Sequence, residues 1–251
     1  VLDNITIVLV NPSHPGNIGA AARAMKTMGL SRLRLVQPAD YPCAEATARA
    51  SGADDILARA EVCANLEEAV ADCVLVAGTS ARSRTLPWPL LEAREAAGRL
   101  AAEAGAGDRV ALLFGRERTG LTNDELARCH FHVTISSNPD YSSLNLAAAV
   151  QILAYELRLA AGAAPARPAA PEAPEGEPVT QAEMEGFYGH LERVLVATGF
   201  LDPDSPKRLL PRLRRLYARA RPDRVELNIL RGMLKAMEKH LQFRRPTEPG
   251  D

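Results

Sequence analysis

The chain has 251 residues and a net charge of −1, which suits one large domain or one domain with a small appendage and excludes a uniformly basic nucleic-acid binder. Aromatic residues make up only 4% against 47% hydrophobic residues overall, so the core must be built mainly from Leu, Val, Ile and Ala. No apolar run approaches the roughly 20 residues of a membrane-spanning helix.

The opening stretch, VLDNITIVLVNPSHPG, reads as a strand and a turn, not as a secretion signal with a basic leader. Four cysteines (Cys43, Cys63, Cys73, Cys129) show no CxxC spacing. They are expected to be reduced thiols of a cytoplasmic protein, not disulfides or metal ligands. Five strands are predicted: Ile5–Val10, Leu33–Gln37, Val74–Thr79, Val110–Phe114 and Phe131–Ile135. Their continuous apolar character suits strands buried on both faces of a parallel sheet, with helices in the gaps. The order argues a doubly wound α/β domain over residues 1–161.

Three junctions in that domain place small and polar residues where core residues would be expected. The first, NIGAAARAMK at 17–26, follows a turn set by Pro12, Pro15 and Gly16, with a helix beginning near Asn17 or Ile18. Small residues keep its first turns slender, and Arg23 is the first long polar side chain after them. The pattern suits a phosphate or ribose at a helix start, and equally a tightly packed helix with a surface arginine. The second, FGRERTGL at 114–121, crowds Glu117 between Arg116 and Arg118 inside two glycines. Its GxxxxG spacing lacks the Lys-Ser/Thr of a phosphate-binding loop, which argues against an ATPase. A helix is expected to start at Thr122, with acids in its first turn. The third, SSLNLAAAV at 142–150, heads a helix predicted over Leu144–Leu159. A helix cap explains one of Ser142, Ser143 and Asn145, but not the row. A further stretch, GTSARSRTLPWP at 78–89, resembles a ligand-floor loop, and Trp88 between prolines is expected to pack a loop or an interface.

Residues 162–178 are dominated by Pro and Ala and form a predicted linker. Beyond it, residues 179–251 show helical periodicity only. Three apolar stripes are expected: Met184, Phe187, Leu191 and Leu195; then Leu209, Leu213, Leu216 and Ala220; then Leu227, Leu230, Leu234, Met237 and Leu241. Gly199 is the predicted stop of the first. Residues 179–245 hold 14 Lys or Arg against 8 Asp or Glu. On the middle helix Arg208, Arg212, Arg215 and Arg219 share one face, a stripe suited to a phosphate backbone or simply to solvent.

Taken in this order, the three segments resemble the SPOUT superfamily of RNA methyltransferases, in its TrmH-like 2′-O-methylating branch. The motifs NxGAxxR, the Gly-Glu loop and the SLN helix start carry the resemblance across residues 1–161. The stretches ARAMKTMGL, GTSARSRTLPWP, FGRERTGLTNDEL and NPDYSSLNLAAAVQ, with FYGHLE, RARP and ELNILRG in the tail, resemble TrmJ-type members. These methylate the ribose 2′-oxygen of nucleotide 32, cytidine or uridine, in the tRNA anticodon loop.

The resemblance implies an α/β sheet with a trefoil knot, S-adenosyl-methionine as methyl donor with S-adenosyl-homocysteine as product, and a homodimer in which Arg23 reaches the partner's site. It implies that Thr79, Ser80, Ala81, Gly115, Ile135, Ser142, Ser143 and Leu144 hold the cofactor. Asn17, Arg23, Glu117, Ser143 and Asn145 match the motif positions tied to catalysis, and the tail helices would grip tRNA. No metal and no membrane are called for. A guanidinium stays protonated, so Arg23 is read as orienting the 2′-hydroxyl and a phosphate and stabilising developing oxyanion charge, not as a base. Competing readings are an enzyme of the same branch acting on ribosomal RNA or another tRNA position, a non-catalytic RNA-binding protein, and a nucleotide-binding protein unrelated to RNA.

Overall fold

Ile5–Val10 (β1) is buried at every position, which a strand achieves only with a packed layer on each face. This strand lies at the heart of a computed structural model in which residues 1–80, 88–163 and 176–243 are described. The chain divides into two compact units, Val1–Ala170 and Pro171–Asp251.

In the first unit β1 is followed by α1 (Pro15–Met28), β2 (Arg32–Val36), α2 (Ala44–Ala50), α3 (Asp54–Ala58), β3 (Glu61–Cys63), α4 (Leu66–Val70) and β4 (Leu75–Thr79). Then come β5 (Leu90–Glu92), α5 (Ala93–Gly105), β6 (Val110–Phe114), α6 (Asn123–Leu126), β7 (Phe131–Thr134) and α7 (Leu146–Ala163). The strands form one seven-stranded sheet in the order β3-β2-β1-β6-β4-β7-β5. Every pair in it is parallel. Successive residues of a strand face opposite ways, and β1 shows it. Ile5, Ile7 and Leu9 join the core made with α1, α2, α5 and α7. Val8 and Val10 join the opposite core with Leu66, Val70 and Leu126. The doubly wound α/β arrangement is therefore present, and all five predicted strands appear with ends shifted by at most one residue.

The sequence reading missed β3 and β5. Each is three residues long and lies at a sheet edge, where Val62 and Leu90 are exposed, so neither shows a buried run. α1 begins at Pro15, two to three residues earlier than expected. Proline at a first helical position has its missing N–H where no partner is needed and its φ already set, so it starts the helix instead of delaying it. The small residues of α1 admit another helix. A Cβ on Gly19 would lie 2.0 Å from the Ala46 carbonyl oxygen of α2.

Trp88 packs inside its own chain. It is buried, stacks on His132 with ring centroids 5.6 Å apart, and donates from Nε1 to the Cys129 carbonyl at 2.8 Å. All four cysteines are free thiols. Burial pushes the Cys73 thiol up to about 12 and raises Cys129 further, so neither is a ready nucleophile. Arg34 is buried yet bound by Asp72 at 2.6 Å and Glu61 at 2.9 Å. Asp72 also takes Arg109 at 2.5 Å. Burial opposes the charge on Asp72, but hydrogen bonds from the two arginines hold its carboxyl well below the usual range. Among the described residues no helix is long and apolar enough to cross a membrane, and no group of three His, Cys, Asp or Glu is placed to hold a metal ion.

The second unit contains α8 (Gln181–Ala197), α9 (Leu209–Ala220) and α10 (Arg224–Phe243). Thr180 and Glu183 cap α8 reciprocally. Gly199, at φ +75°, takes the left-handed turn just past its end, as predicted. Met184, Phe187, Tyr188, Leu191 and Val194 of α8 pack on Leu227 and Leu234 of α10. The predicted face of α9 needs correction. Leu216 is 47% exposed and Ala220 is exposed, whereas Leu213 and Tyr217 turn inward. Tyr217 meets the Phe187 ring edge-on at 4.9 Å. Arg214 lies over the Tyr188 ring at 4.4 Å and is bidentate to Glu185 at 2.6 and 2.7 Å. Tyr217 and the paired Arg214 thus join Leu213 on the inner face in place of Leu216 and Ala220. Met237, assigned to the third stripe, is also exposed, at 46%.

Candidate active site

β6, β4 and β7 are neighbours in the sheet, so their carboxyl ends and the described residues that follow them meet at one place. There they enclose a cleft of about 400 Å³. Thr79, Ser80, Gly115, Ile135, Ser142, Ser143 and Leu144, all expected at the cofactor site, line it together. Ala81, the remaining expected residue, lies outside the described residues. Phe114, Leu121 and Val133 are buried and supply an apolar floor, while Arg118, Thr119, Ser142 and Ser143 form an exposed rim.

The loop after β6 is closed on itself. Arg116 N–H donates to the Gly120 carbonyl at 3.3 Å, and Gly120 N–H returns to Arg116 at 2.9 Å. This brings the Gly120–Leu121 backbone against Gly115, where an added Cβ would lie 2.1 Å from the Gly120 carbonyl carbon. Gly120 itself holds φ at +67°, which a glycine adopts without strain.

Glu117 does not pair with the arginines flanking it. Its carboxylate accepts from Ser13 N at 3.1 Å, Ser13 Oγ at 2.8 Å, His14 N at 3.2 Å and Asn17 Nδ2 at 3.1 Å. It therefore caps the entry to α1 from another part of the chain, where a helix start favours negative charge. Burial alone would raise its pKa, but hydrogen bonds from Asn17 and Ser13 hold it at about 2. Asn17 passes the chain on, its Oδ1 accepting from Asn145 Nδ2 at 3.0 Å. Asn145 Oδ1 accepts from Ala147 N at 2.9 Å and Ala148 N at 3.3 Å. So Asn145 caps α7, which begins at Leu146 and not at Leu144, and joins the third segment to the first. Spacing alone showed three separate motifs; the fold makes Glu117–Asn17–Asn145 one hydrogen-bonded chain.

Glu117→Gln is expected to flatten the acid limb of stability. A carboxyl held near 2 instead of its ordinary 4.5 stabilises the fold above pH 4.5 and ceases to do so as pH falls toward 2. Melting temperatures of both proteins between pH 6 and pH 3 check this, the two converging at the acid end.

Residues not anticipated as partners complete the surroundings. Glu125 holds Arg116 through two 3.0 Å bonds while also accepting from Thr122 N at 2.7 Å. Thr122 and Glu125 form the capping box at the predicted helix start. Arg116 further donates to Asn11 Oδ1 at 2.5 Å. The Thr-x-x-Glu spacing signalled the cap, but nothing in the sequence signalled that Glu125 would also neutralise Arg116. Thr79 Oγ1 donates to the Leu113 carbonyl at 2.9 Å, which ties β4 to β6 at the cleft floor.

Arg23 is not drawn into this chain. It is exposed, and six residues of α-helix set it about 9 Å along the axis and about 120° round from Asn17. Ser143 is exposed at the rim and joins the chain neither. Arg208 occupies the N-cap of α9, and Arg212, Arg215 and Arg219 follow on that helix. Arg208, Arg212 and Arg219 are exposed, and Arg215 is half-buried.

Comparison with known proteins adds to this geometry. The model of the SpoU rRNA Methylase family matches residues 4–155, and that of the tRNA methyltransferase TrmJ C-terminal domain matches residues 182–247. The tRNA (cytidine/uridine/adenosine-2′-O-)-methyltransferase TrmJ of Pseudomonas aeruginosa (strain UCBPP-PA14) is 56% identical over 245 residues, 95% of each chain. The tRNA (cytidine/uridine-2′-O-)-methyltransferase TrmJ of Klebsiella pneumoniae subsp. pneumoniae is 54% identical over 240 residues, 95% of this chain and 98% of that one. The crystal structure of TrmJ from Z. mobilis ZM4 superposes with a TM-score of 0.81 at 36% identity, covering 93% of this chain and 98% of that one. With both units matched and the α/β architecture shared, the chain belongs to the SpoU methylase family, of SPOUT-type fold, in its TrmJ branch.

Proposed function

We propose that the protein methylates the ribose 2′-oxygen of nucleotide 32, cytidine or uridine, in the tRNA anticodon loop, using S-adenosyl-methionine. The observation that carries the reading is the 56% identity, over 95% of each chain, to an enzyme named as a tRNA (cytidine/uridine/adenosine-2′-O-)-methyltransferase. The site supports it. A cleft of about 400 Å³ with an apolar floor and a hydroxyl-rich rim suits a nucleoside-sized cofactor. Gly115 lets the Gly120–Leu121 backbone close against it, which shapes the β6 wall of that cleft.

In this reading Thr79, Ser80, Ala81, Gly115, Ile135, Ser142, Ser143 and Leu144 hold the cofactor. When bound, S-adenosyl-methionine supplies an electrophilic methyl group on a sulfonium. The chain's own residues must align the 2′-oxygen and stabilise the charge that develops on it as its proton leaves. Arg23 supplies that charge stabilisation and orients the hydroxyl, while Ser143 positions the ribose. Glu117, Asn17 and Asn145 act by fixing the α1 and α7 starts relative to the β6 loop. Arg23 is exposed and stands apart from its own chain's network, and in this reading it serves the partner's site in a homodimer, as the family resemblance implies. The exposed Tyr155 and Leu159 on α7 are apolar surface available to such an interface. The α8–α10 unit, with its exposed Arg208, Arg212 and Arg219, contacts tRNA phosphates.

Methyl transfer from labelled S-adenosyl-methionine to unmodified bulk tRNA, with mapping of the modified nucleotide, tests the reading. A label at position 32 is expected. A label elsewhere overturns the position, and no transfer to tRNA overturns the substrate. Residues 1–161 alone are expected to retain S-adenosyl-homocysteine binding within about twofold and lose tRNA methylation by more than about tenfold, the scale on which lost phosphate contacts act. Calorimetry and the same assay measure both, and full activity of the truncated chain would remove the tRNA-binding role of the tail.

A further inference from the structure

The sequence sets two arginines evenly about Glu117, and the fold gives them opposite surroundings. Arg116 is half-buried, clamped by both oxygens of Glu125 and bonded to Asn11. Arg118 is exposed, lines the cleft, and makes no hydrogen bond or ion pair with any described residue. The cleft is lined by three charged side chains among the described residues: Arg116, Glu117 and Arg118. The first is neutralised by Glu125, and the second is turned to the entry of α1. Among the described residues Arg118 is therefore the cation left for a ligand at this rim.

Its support is rigid. The paired Arg116 and Gly120 backbones close the loop beneath it, and the Glu125 clamp ties that loop to α6. A flexible surface arginine loses much side-chain entropy on binding, and a fixed base reduces that loss. Position decides which anion it meets. The floor is apolar, formed by buried Phe114, Leu121 and Val133, whereas Arg118 stands at the exposed rim with Ser142 and Ser143. A small ligand fills the floor, and a polymer too large to enter meets the rim. In RNA every internal ribose bearing a 2′-hydroxyl carries a phosphodiester on the adjacent 3′-oxygen. A cation beside the place where the 2′-oxygen must sit therefore faces a phosphate, which a guanidinium binds through two parallel N–H donors.

We propose that Arg118 is a substrate-binding residue that grips the RNA phosphodiester next to the ribose being methylated. The inference rests on the function proposed above. Its test uses the full-length protein, Arg118→Ala and Arg118→Lys, with tRNA transcripts and S-adenosyl-methionine. The expected result is a KM for tRNA raised about 5- to 20-fold in Arg118→Ala with kcat changed less than threefold, partly restored in Arg118→Lys. The slope of log Kd for tRNA against log salt becomes shallower by about one. S-adenosyl-homocysteine affinity by calorimetry stays within about twofold. An unchanged tRNA KM and salt slope, with the unaltered protein active on tRNA, would overturn the assignment alone. Weakened S-adenosyl-homocysteine binding with unchanged tRNA binding would instead place Arg118 on the cofactor's carboxylate and equally overturn it. If the unaltered protein neither binds nor methylates tRNA, the functional reading falls and this inference falls with it.

Discussion

Arg23→Ala is expected to lower kcat for tRNA methylation by about 10²- to 10³-fold while leaving the melting temperature and S-adenosyl-homocysteine affinity nearly unchanged. The magnitude is that of losing one preorganised charge-stabilising donor where an oxyanion develops. The fold is expected to survive because Arg23 is exposed and bonded to no described residue, so its removal creates neither a cavity nor an orphaned partner. Steady-state kinetics with a thermal melt separates the two effects. Turnover near that of the unaltered protein would remove Arg23 from the mechanism.

The second large effect is expected from Gly115→Ala. The added methyl would stand 2.1 Å from the Gly120 carbonyl carbon and 2.2 Å from Leu121 N, both backbone atoms that cannot swing aside. The loop must open, at a cost of about 1–3 kcal/mol in stability, the usual scale for overpacking. Because this loop forms one wall of the cleft, S-adenosyl-homocysteine affinity is expected to fall more than about tenfold, equivalent to about 1.4 kcal/mol. Calorimetry measures the affinity and a chemical melt measures the stability. Unchanged affinity would show that the cofactor does not depend on this wall.

The two variants together test the homodimer. If Arg23 serves the partner's cleft, a mixed dimer of Arg23→Ala and Gly115→Ala chains has one complete site. That site is the cleft of the Arg23→Ala chain, supplied with the other chain's arginine. Co-expressed chains that pair at random are expected to recover about a quarter of the normal activity, since half the dimers are mixed and each has one working site of two. If Arg23 acts within its own chain, every site stays defective and no activity returns.

Some of the site was legible because its chemistry left unusual residues at strand ends. Gly115, Glu117 and the row Ser142–Asn145 stood out where a core would place leucine or valine, and the structure gathers the cleft-lining ones into a single cavity. What each polar group touches was not legible. Glu117 lay between two arginines in the sequence yet takes its donors from Ser13, His14 and Asn17, about a hundred residues away. Asn145 served equally as a cap or a ligand on paper, and in the fold it caps α7 and bonds Asn17 at once.

While residues 164–175 of the predicted linker lie outside the described residues, the sequence by itself determined the five central strands, the doubly wound order and the helical nature of the tail. These follow from local pattern: buried runs, turn residues and a 3.6-residue repeat need no knowledge of distant contacts. Tertiary structure alone decided the edge strands β3 and β5, the inward face of α9 and the separate fates of Arg116 and Arg118. Each depends on a partner remote in the chain, such as β2 for β3, Phe187 for Tyr217 or Asn11 for Arg116. A short edge strand or a charged side chain takes its place from whatever packs against it, and local sequence does not encode that neighbour.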